Sequence, residues 1–326
     1  MTTPLHIVVT GGAGYVGSTL VPLLLGEGHK VTVYDVLLHG GHSLLSSWNH
    51  PNFDFVHADI RDHRTLSSAL REVDAVVHLA AIVGDPACSR QPEEAREINL
   101  GGSLELLEQC HRAGVSRLVF ASTCSNYGKM ANPDAYVDES STLAPVSLYA
   151  ETKVQFEKTL LELSASDKLC VTPLRFATVY GVSPRMRFDL TVNEFTMDML
   201  IKKHLVVFGE HFWRPYIHVR DAAAAIAAVL QADTNTLRSQ VFNVGSTDQN
   251  YRKLDLVNLI RSQAPYATVQ YVHKQEDPRD YRVSFSKIAS VLGFQTTRTV
   301  EDGIREVARL VRSGVLHSFD DPVFRN

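Results

Sequence analysis

Short apolar, β-branched runs recur along the first 180 residues, each followed by a stretch with helical periodicity. LHIVVT (5–10), KVTVYD (30–35), FDFVH (53–57), AVVHLA (75–80), RLVFAS (117–122) and CVTPLRF (170–176) are predicted strands. Segments 15–27, 63–72, 94–113 and 149–163 are predicted helices. Strands that read as nearly continuous apolar runs are buried on both faces, and helical crossovers make their neighbours parallel. The pattern predicts an α/β fold: a doubly wound, Rossmann-type parallel sheet. Pro22 falls inside the first helix, where it costs the hydrogen bond to Ser18 and bends the axis.

After Gly181 the rhythm changes. NEFTMDMLIKK reads as a helix, LVVF as a strand, and WRPYIHVRDAAAAIAAVL as a strand running into a helix capped by Asp221. VFNVGS, LDLVNLIRSQ, TVQYV and a helix near 300–313 complete the chain. This predicts a first domain over 1–180 with a returning segment at about 214–245. A smaller mixed α/β lobe over 181–326 is interleaved with it, so the two enclose a fixed cleft.

Composition narrows the function classes. At 326 residues the chain can bury a substantial core, and 44% hydrophobic with 21% charged residues is ordinary for a soluble globular protein. A net charge of −4 with scattered Lys and Arg gives no nucleic-acid footprint. The longest apolar stretch, Ala222 to Leu230, is far short of the roughly 20 residues of a bilayer span, so no membrane partner is expected. MTTPLHIVVTGG has no basic n-region and enters a strand at once, which argues against a signal peptide. Cys88, Cys110, Cys124 and Cys170 show no paired spacing, and the 14 histidines no metal-ligand spacing. Reduced thiols, no metal and a cytoplasmic location follow as expectations.

TGGAGYVG (10–17) ends the first strand and opens the first helix. Gly11, Gly14 and Gly17 follow G-x-x-G-x-x-G spacing, which suits a tight turn, close approach of a pyrophosphate and close helix packing. Amides at the helix N-terminus then face the phosphate. Asp35 ends the second strand, where a carboxylate accepts from both ribose hydroxyls and repels a 2′-phosphate. NAD is therefore expected over NADP. Asp59, at the end of the third strand, either meets the adenine amino group or caps a helix.

Tyr149 and Lys153 lie four residues apart in SLYAETK, one turn apart on one helix face. They are either unremarkable surface residues or a reactive pair in which the ammonium favours the phenolate and lowers the tyrosine pKa.

The chain resembles the extended short-chain dehydrogenase/reductase family, in its NAD-dependent nucleotide-sugar epimerase/dehydratase branch. The matching features run almost end to end: TGGAGYVG, Asp35, ADIRD (58–62), HLAA (78–81), NLGGS (99–103), FASTCSNYG (120–128), YAETK (149–153), PLRFATVYG (173–181), RPYIHVRD (214–221) and SKIASVLGF (286–294). The resemblance implies Tyr149 as catalytic acid/base, Lys153 as the residue that holds the nicotinamide ribose, and Thr123 as a hydrogen-bond partner of the reacting hydroxyl. Tyr15 and Val16 of the glycine loop, Ile60, and Leu79, Ala80 and Ala81 of HLAA fall among the implied cofactor contacts. Asn99 matches a structural asparagine that holds backbone geometry beside the site.

On the same basis a nucleotide-diphosphate sugar is the implied substrate. Arg214 matches a diphosphate-binding arginine, and Arg279 or Arg282 of EDPRDYR is expected to join it, with Arg279 favoured. Arg185 and Arg187 could reach nucleotide or sugar. Asn193 is read as a helix cap in preference to a substrate contact. Val83, Gly84, Cys124, Ser125 and Tyr180 are expected around the sugar. Thr178 stands where the epimerases commonly carry Asn, which leaves the base open. The 4,6-dehydratases follow the catalytic Thr with Asp and Glu, and the decarboxylases carry Glu where Ser125 stands. Cys124 and Ser125 disfavour both. An epimerase acting by transient oxidation, at carbon 4 first, is the leading expectation; a net dehydrogenase or ketoreductase and a non-catalytic NAD-binding protein are the alternatives. The resemblance also implies a homodimer through the Tyr149-bearing helix.

Overall fold

A computed structural model of the chain describes residues 3–130, 132, 135–163, 168–273 and 279–326. Met1 and Thr2 of the amino terminus and Glu276–Pro278 of the EDPRDYR segment lie outside them. The first elements in chain order are β1 (His6–Thr10), α1 (Gly17–Gly26), β2 (Lys30–Asp35), β3 (Phe53–His57), α2 (His63–Ala69), β4 (Ala75–His78), α3 (Asp85–Arg90), α4 (Pro92–Arg96), α5 (Ser103–Ala113), β5 (Arg117–Thr123), α6 (Leu148–Glu162) and β6 (Cys170–Phe176). There follow β7 (Thr178–Tyr180), α7 (Thr191–Ile201), β8 (His204–Phe208), β9 (Trp213–His218), α8 (Val219–Gln231), α9 (Thr234–Leu237), β10 (Phe242–Val244), β11 (Asn250–Arg252), α10 (Lys253–Ile260), β12 (Thr268–Val272), α11 (Ser286–Leu292) and α12 (Val300–Arg312).

The large sheet runs β3-β2-β1-β4-β5-β6-β10, with every pair parallel. Alternate residues of each strand enter different cores, as the two-residue side-chain period requires. Ile7 and Val9 pack with Leu20 and Leu24 of α1 and Ile226 of α8. Val8 packs on the other face with Leu66 of α2, Leu106 of α5 and Phe156 of α6. The doubly wound sheet is thus the predicted one, and Pro22 sits inside α1 as expected.

Two smaller sheets complete the structure: β11-β9-β7, and the parallel pair β12-β8. Their core joins Phe188, Phe195 and Leu200 around α7 to Leu256 and Ile260 of α10 and to one face of α12, through Ile304 and Val307. The α8 helix returns to the large domain and lies against α1.

Three local expectations change. The predicted helix 94–113 is broken by a π-helical turn at Glu97–Gly102 between α4 and α5. Such wide turns mark places where a helix is distorted to place a particular group, and this one carries Asn99. The cap of α8 is His218, whose ring accepts from the Arg220 N–H at 3.2 Å. Asp221 instead accepts from the Thr297 and Arg298 N–H groups and the Thr297 hydroxyl, tying α8 to the segment before α12. Asn193 caps nothing: α7 starts after Leu190, and the buried amide accepts from Gly181 N–H and donates to the Arg187 carbonyl.

Candidate functional site

The strand order reverses between β1 and β4, so chain leaving their C-terminal ends departs to opposite faces and opens a crevice there. A cavity of about 420 Å³ occupies this crevice and extends to the smaller lobe. The glycine loop forms one wall. Gly11 has φ +72°, and an added Cβ would stand 2.6 Å from the Ala80 nitrogen of the HLAA turn. A Cβ on Gly17 would press 2.6 Å from the Gly11 carbonyl and from Gly12. At Gly14 an added Cβ would meet only the Gly11 carbonyl, at 3.1 Å, so the loop backbone is bare there. A bare backbone over a helix N-terminus fits a pyrophosphate.

Asp35 braces this loop. Its carboxylate accepts from the Ala13 N–H at 3.0 Å and the Leu37 N–H at 2.7 Å, while burial raises its pKa. Tyr15 donates its hydroxyl to the Gly181 carbonyl at 2.6 Å and so joins the loop to the second lobe.

Of the residues expected at the cofactor, Gly11, Gly14, Tyr15, Val16, Gly17, Leu79, Ala80, Ala81, Tyr149 and Lys153 line the cavity. Asp35, Asp59 and Ile60 are not among the lining residues. Asp59 neither caps α2, which Asp62 does, nor faces the crevice; it holds Arg61 through paired hydrogen bonds. Ile60 is buried against Gly102. Asn99 is also buried away from the cavity, and its amide takes both the N–H and the carbonyl of Ile82, at 2.8 and 2.9 Å. That geometry is backbone support for the AAIVGD turn.

Tyr149, Lys153 and Thr123 converge on the cavity from α6 and the end of β5. Ser147 starts α6 by accepting from the Ala150 N–H. The Lys153 nitrogen lies 4.7 Å over the Phe120 ring and 5.9 Å from the Tyr149 ring centroid. Spacing left two readings open, surface residues or a tuned pair, and both side chains line the cavity. Burial raises the Tyr149 phenol and lowers Lys153 to about 7, because loss of water disfavours both charged forms. Thr123 accepts from the Ser125 N–H at 3.1 Å through its hydroxyl oxygen, leaving the O–H free in direction.

A buried polar network lies behind these residues. Glu157 of α6 pairs with Arg175 of β6 at 2.6 Å and accepts from Ser122 at 2.5 Å. Arg175 donates onward to the Tyr127 hydroxyl, which donates to Asn243. His78 bridges Thr10 and Ser103 by hydrogen bonds, and burial lowers its pKa to about 3.

On the substrate side Val83, Gly84, Ser125, Thr178, Arg185, Arg187, Arg214 and Arg279 line the cavity. Arg214 stacks 5.3 Å over Tyr281, Arg187 is fixed by two hydrogen bonds to Asp189, and Arg279 pairs with Asp85. Arg282 stacks on Trp213 and Tyr136 away from the cavity, in agreement with opposite faces for residues three apart. Two expectations fail. Cys124 turns into the core and donates to the Arg175 carbonyl, and Tyr180 is fully buried against Tyr216 and His218.

Sequence reasoning passed over several lining residues: His39, Asp85, Thr191, Lys253, Tyr281 and Asn326. Asp85 directly follows the Gly84 already singled out, and Tyr281 stands between the two arginines of PRDYR; the others carry no local signal.

Residues 7–245 match the family model described as NAD dependent epimerase/dehydratase family. The UDP-glucose 4-epimerase of Lacticaseibacillus casei is 29% identical over 93% of this chain and 95% of its own length. Among solved structures, a UDP-glucose 4-epimerase from Thermotoga maritima with UDP-glucose superposes with a TM-score of 0.84 at 27% identity, covering 96% of this chain and all of that one. A dTDP-glucose 4,6-dehydratase from Streptomyces venezuelae with NAD and TYD bound gives 0.86 at 27% identity, covering 98% and 100%.

Proposed function

The chain belongs to the NAD-dependent epimerase/dehydratase family, and from that premise we propose that it is a nucleotide-sugar epimerase working by transient oxidation of a sugar hydroxyl, carbon 4 first. One observation carries the reading. Tyr149, Lys153, Thr123 and the glycine loop line a single cavity, while of the two residues after Thr123 one faces the core and the other is a serine. Elimination of water needs a further acid/base pair. Asp85 is the carboxylate among the described lining residues, and Arg279 holds it.

NAD held by the glycine loop and Lys153 would supply the hydride acceptor and a positive charge. The chain's own residues do the rest. Tyr149, its phenol pKa raised in the cofactor-free cleft, gives its own proton to solvent when cationic charge stabilises the phenolate, and the phenolate then takes the proton from the sugar hydroxyl. Thr123 donates to the oxygen that becomes the ketone. Lys153 holds the ribose and supplies further positive charge. Rotation of the keto-sugar presents its other face, and Tyr149 returns the proton as the hydroxyl reforms. Arg214, Arg279 and Arg187 line the same cavity and in this reading hold the diphosphate, with Thr178 at the nucleotide.

The same reading includes a homodimer through α6 and its neighbour α5, on which Leu104 stands 39% exposed, and a cytoplasmic enzyme with its four cysteines as free thiols. No helix among the described residues is long and apolar enough to cross a membrane.

The test is a panel of nucleotide sugars followed for product stereochemistry and for absorbance of reduced nicotinamide together. An epimerase inverts one carbon with catalytic NAD and no accumulated NADH. One equivalent of redox turnover would assign a dehydrogenase or ketoreductase instead. Full activity of Tyr149→Phe would overturn the catalytic assignment.

A further inference from the structure

We propose that Glu210, His211 and His273 form a binding site for a borderline divalent cation of the zinc class, separate from the cleft. The β8 and β12 strands are parallel neighbours in register, Phe208 opposite Val272, so the residues that follow them emerge side by side. The Gly209 N–H donates to the Val272 carbonyl at 3.2 Å, and Gly209 turns the chain with φ +62°. That turn sends Glu210 inward. Its side chain is about 7% exposed, and its carbonyl accepts from the Leu254 N–H.

The donor geometry is compact. Glu210 Oε1 lies 2.7 Å from His273 Nδ1 and 3.3 Å from His211 Nε2, and one ligand atom from each of the three residues falls within 4.8 Å of the others. Donor atoms around a tetrahedral zinc ion stand roughly 3.3 Å apart, given bonds of about 2.0–2.1 Å. The imidazoles, 63% and 80% exposed, need only small rotations to reach that spacing.

A pair of histidines hydrogen-bonded to a glutamate would account for Oε1 alone. Glu210 Oε2 is buried and has no hydrogen-bond partner among the described residues, an arrangement that is costly for a carboxylate oxygen. It borders a cavity of about 340 Å³ walled by Leu254 and Tyr271, with room for an ion and its water. Two imidazoles and one carboxylate suit zinc and its neighbours, whereas calcium and magnesium prefer oxygen donors. The ion cross-links the segments after β8 and β12, with His273 six residues before Arg279 of the cleft.

Untagged, chelator-stripped protein titrated with zinc chloride in a calorimeter is expected to bind one equivalent saturably. Cobalt chloride is expected to give the visible ligand-field absorption of a four-coordinate site. His211→Ala and His273→Ala each weaken binding about tenfold or more, and the double variant loses it. Both side chains are largely exposed, so the metal-free variants are expected to keep the wild-type circular dichroism spectrum. The absence of saturable binding to the wild type, or binding undiminished in the double variant, overturns the proposal.

Discussion

Arg279 of the smaller lobe donates to Asp85, at the start of α3, at 2.5 Å across the cleft. The pair is partly exposed, so its own contribution to stability is small. Its place matters more: a diphosphate entering the cleft competes with Asp85 for the guanidinium. Arg279→Ala is expected to raise KM about tenfold, the worth of one charge-assisted contact. Asp85→Asn is expected to lower KM by a few-fold with kcat nearly unchanged. Steady-state kinetics on the preferred nucleotide sugar check both.

Lys153 gives a pH signature. Its folded pKa is lowered to about 7, below the ordinary 10.5, because burial disfavours the ammonium. Between those values the unfolded chain binds more protons than the folded one, so this group makes stability rise with pH. Below pH 7 the full cost of the buried charge is present. Lys153→Met removes the cost, so its stability advantage over the cofactor-free wild type is greatest at pH 7 and below and shrinks towards pH 10. Urea unfolding of both proteins across that range measures the gap.

Glu157 and Arg175 are both almost fully buried. Removing one partner strands the other charge, so Arg175→Met is expected to destabilise the protein by about 3–5 kcal/mol. Adding Glu157→Gln to it should recover part of the loss. Denaturant midpoints of the single and double variants test this. A fall in kcat in the double variant would show how far Ser122, bonded to Glu157, positions the adjacent Thr123.

Gly17→Ala would push a methyl group into the Gly11 carbonyl and Gly12. The loop must open to admit it, moving the amides that face the pyrophosphate. NAD affinity is expected to fall at least tenfold while the fold persists, as read by calorimetry beside circular dichroism.

The sequence by itself determined the parallel, doubly wound sheet, because strand burial, crossover helices and chain chirality are written locally. Three of the predicted strands, 30–35, 53–57 and 170–176, match the structure end to end. The glycine loop and the four-residue step from Tyr149 to Lys153 were legible for the same reason: both depend on spacing within one turn or one helix. What tertiary structure decided involves partners distant along the chain. Cys124 and Ser125 are adjacent, yet one meets the Arg175 carbonyl, 51 residues away, and the other lines the cleft. Asp221 left its expected cap for Thr297, 76 residues on. His211 and His273 share no metal-like spacing and meet only because β8 and β12 pair in register. Spacing alone put Tyr149 and Lys153 one helical turn apart, whereas the burial that raises the phenol and lowers the ammonium arises only when distant elements close the cleft around them, which no local pattern encodes.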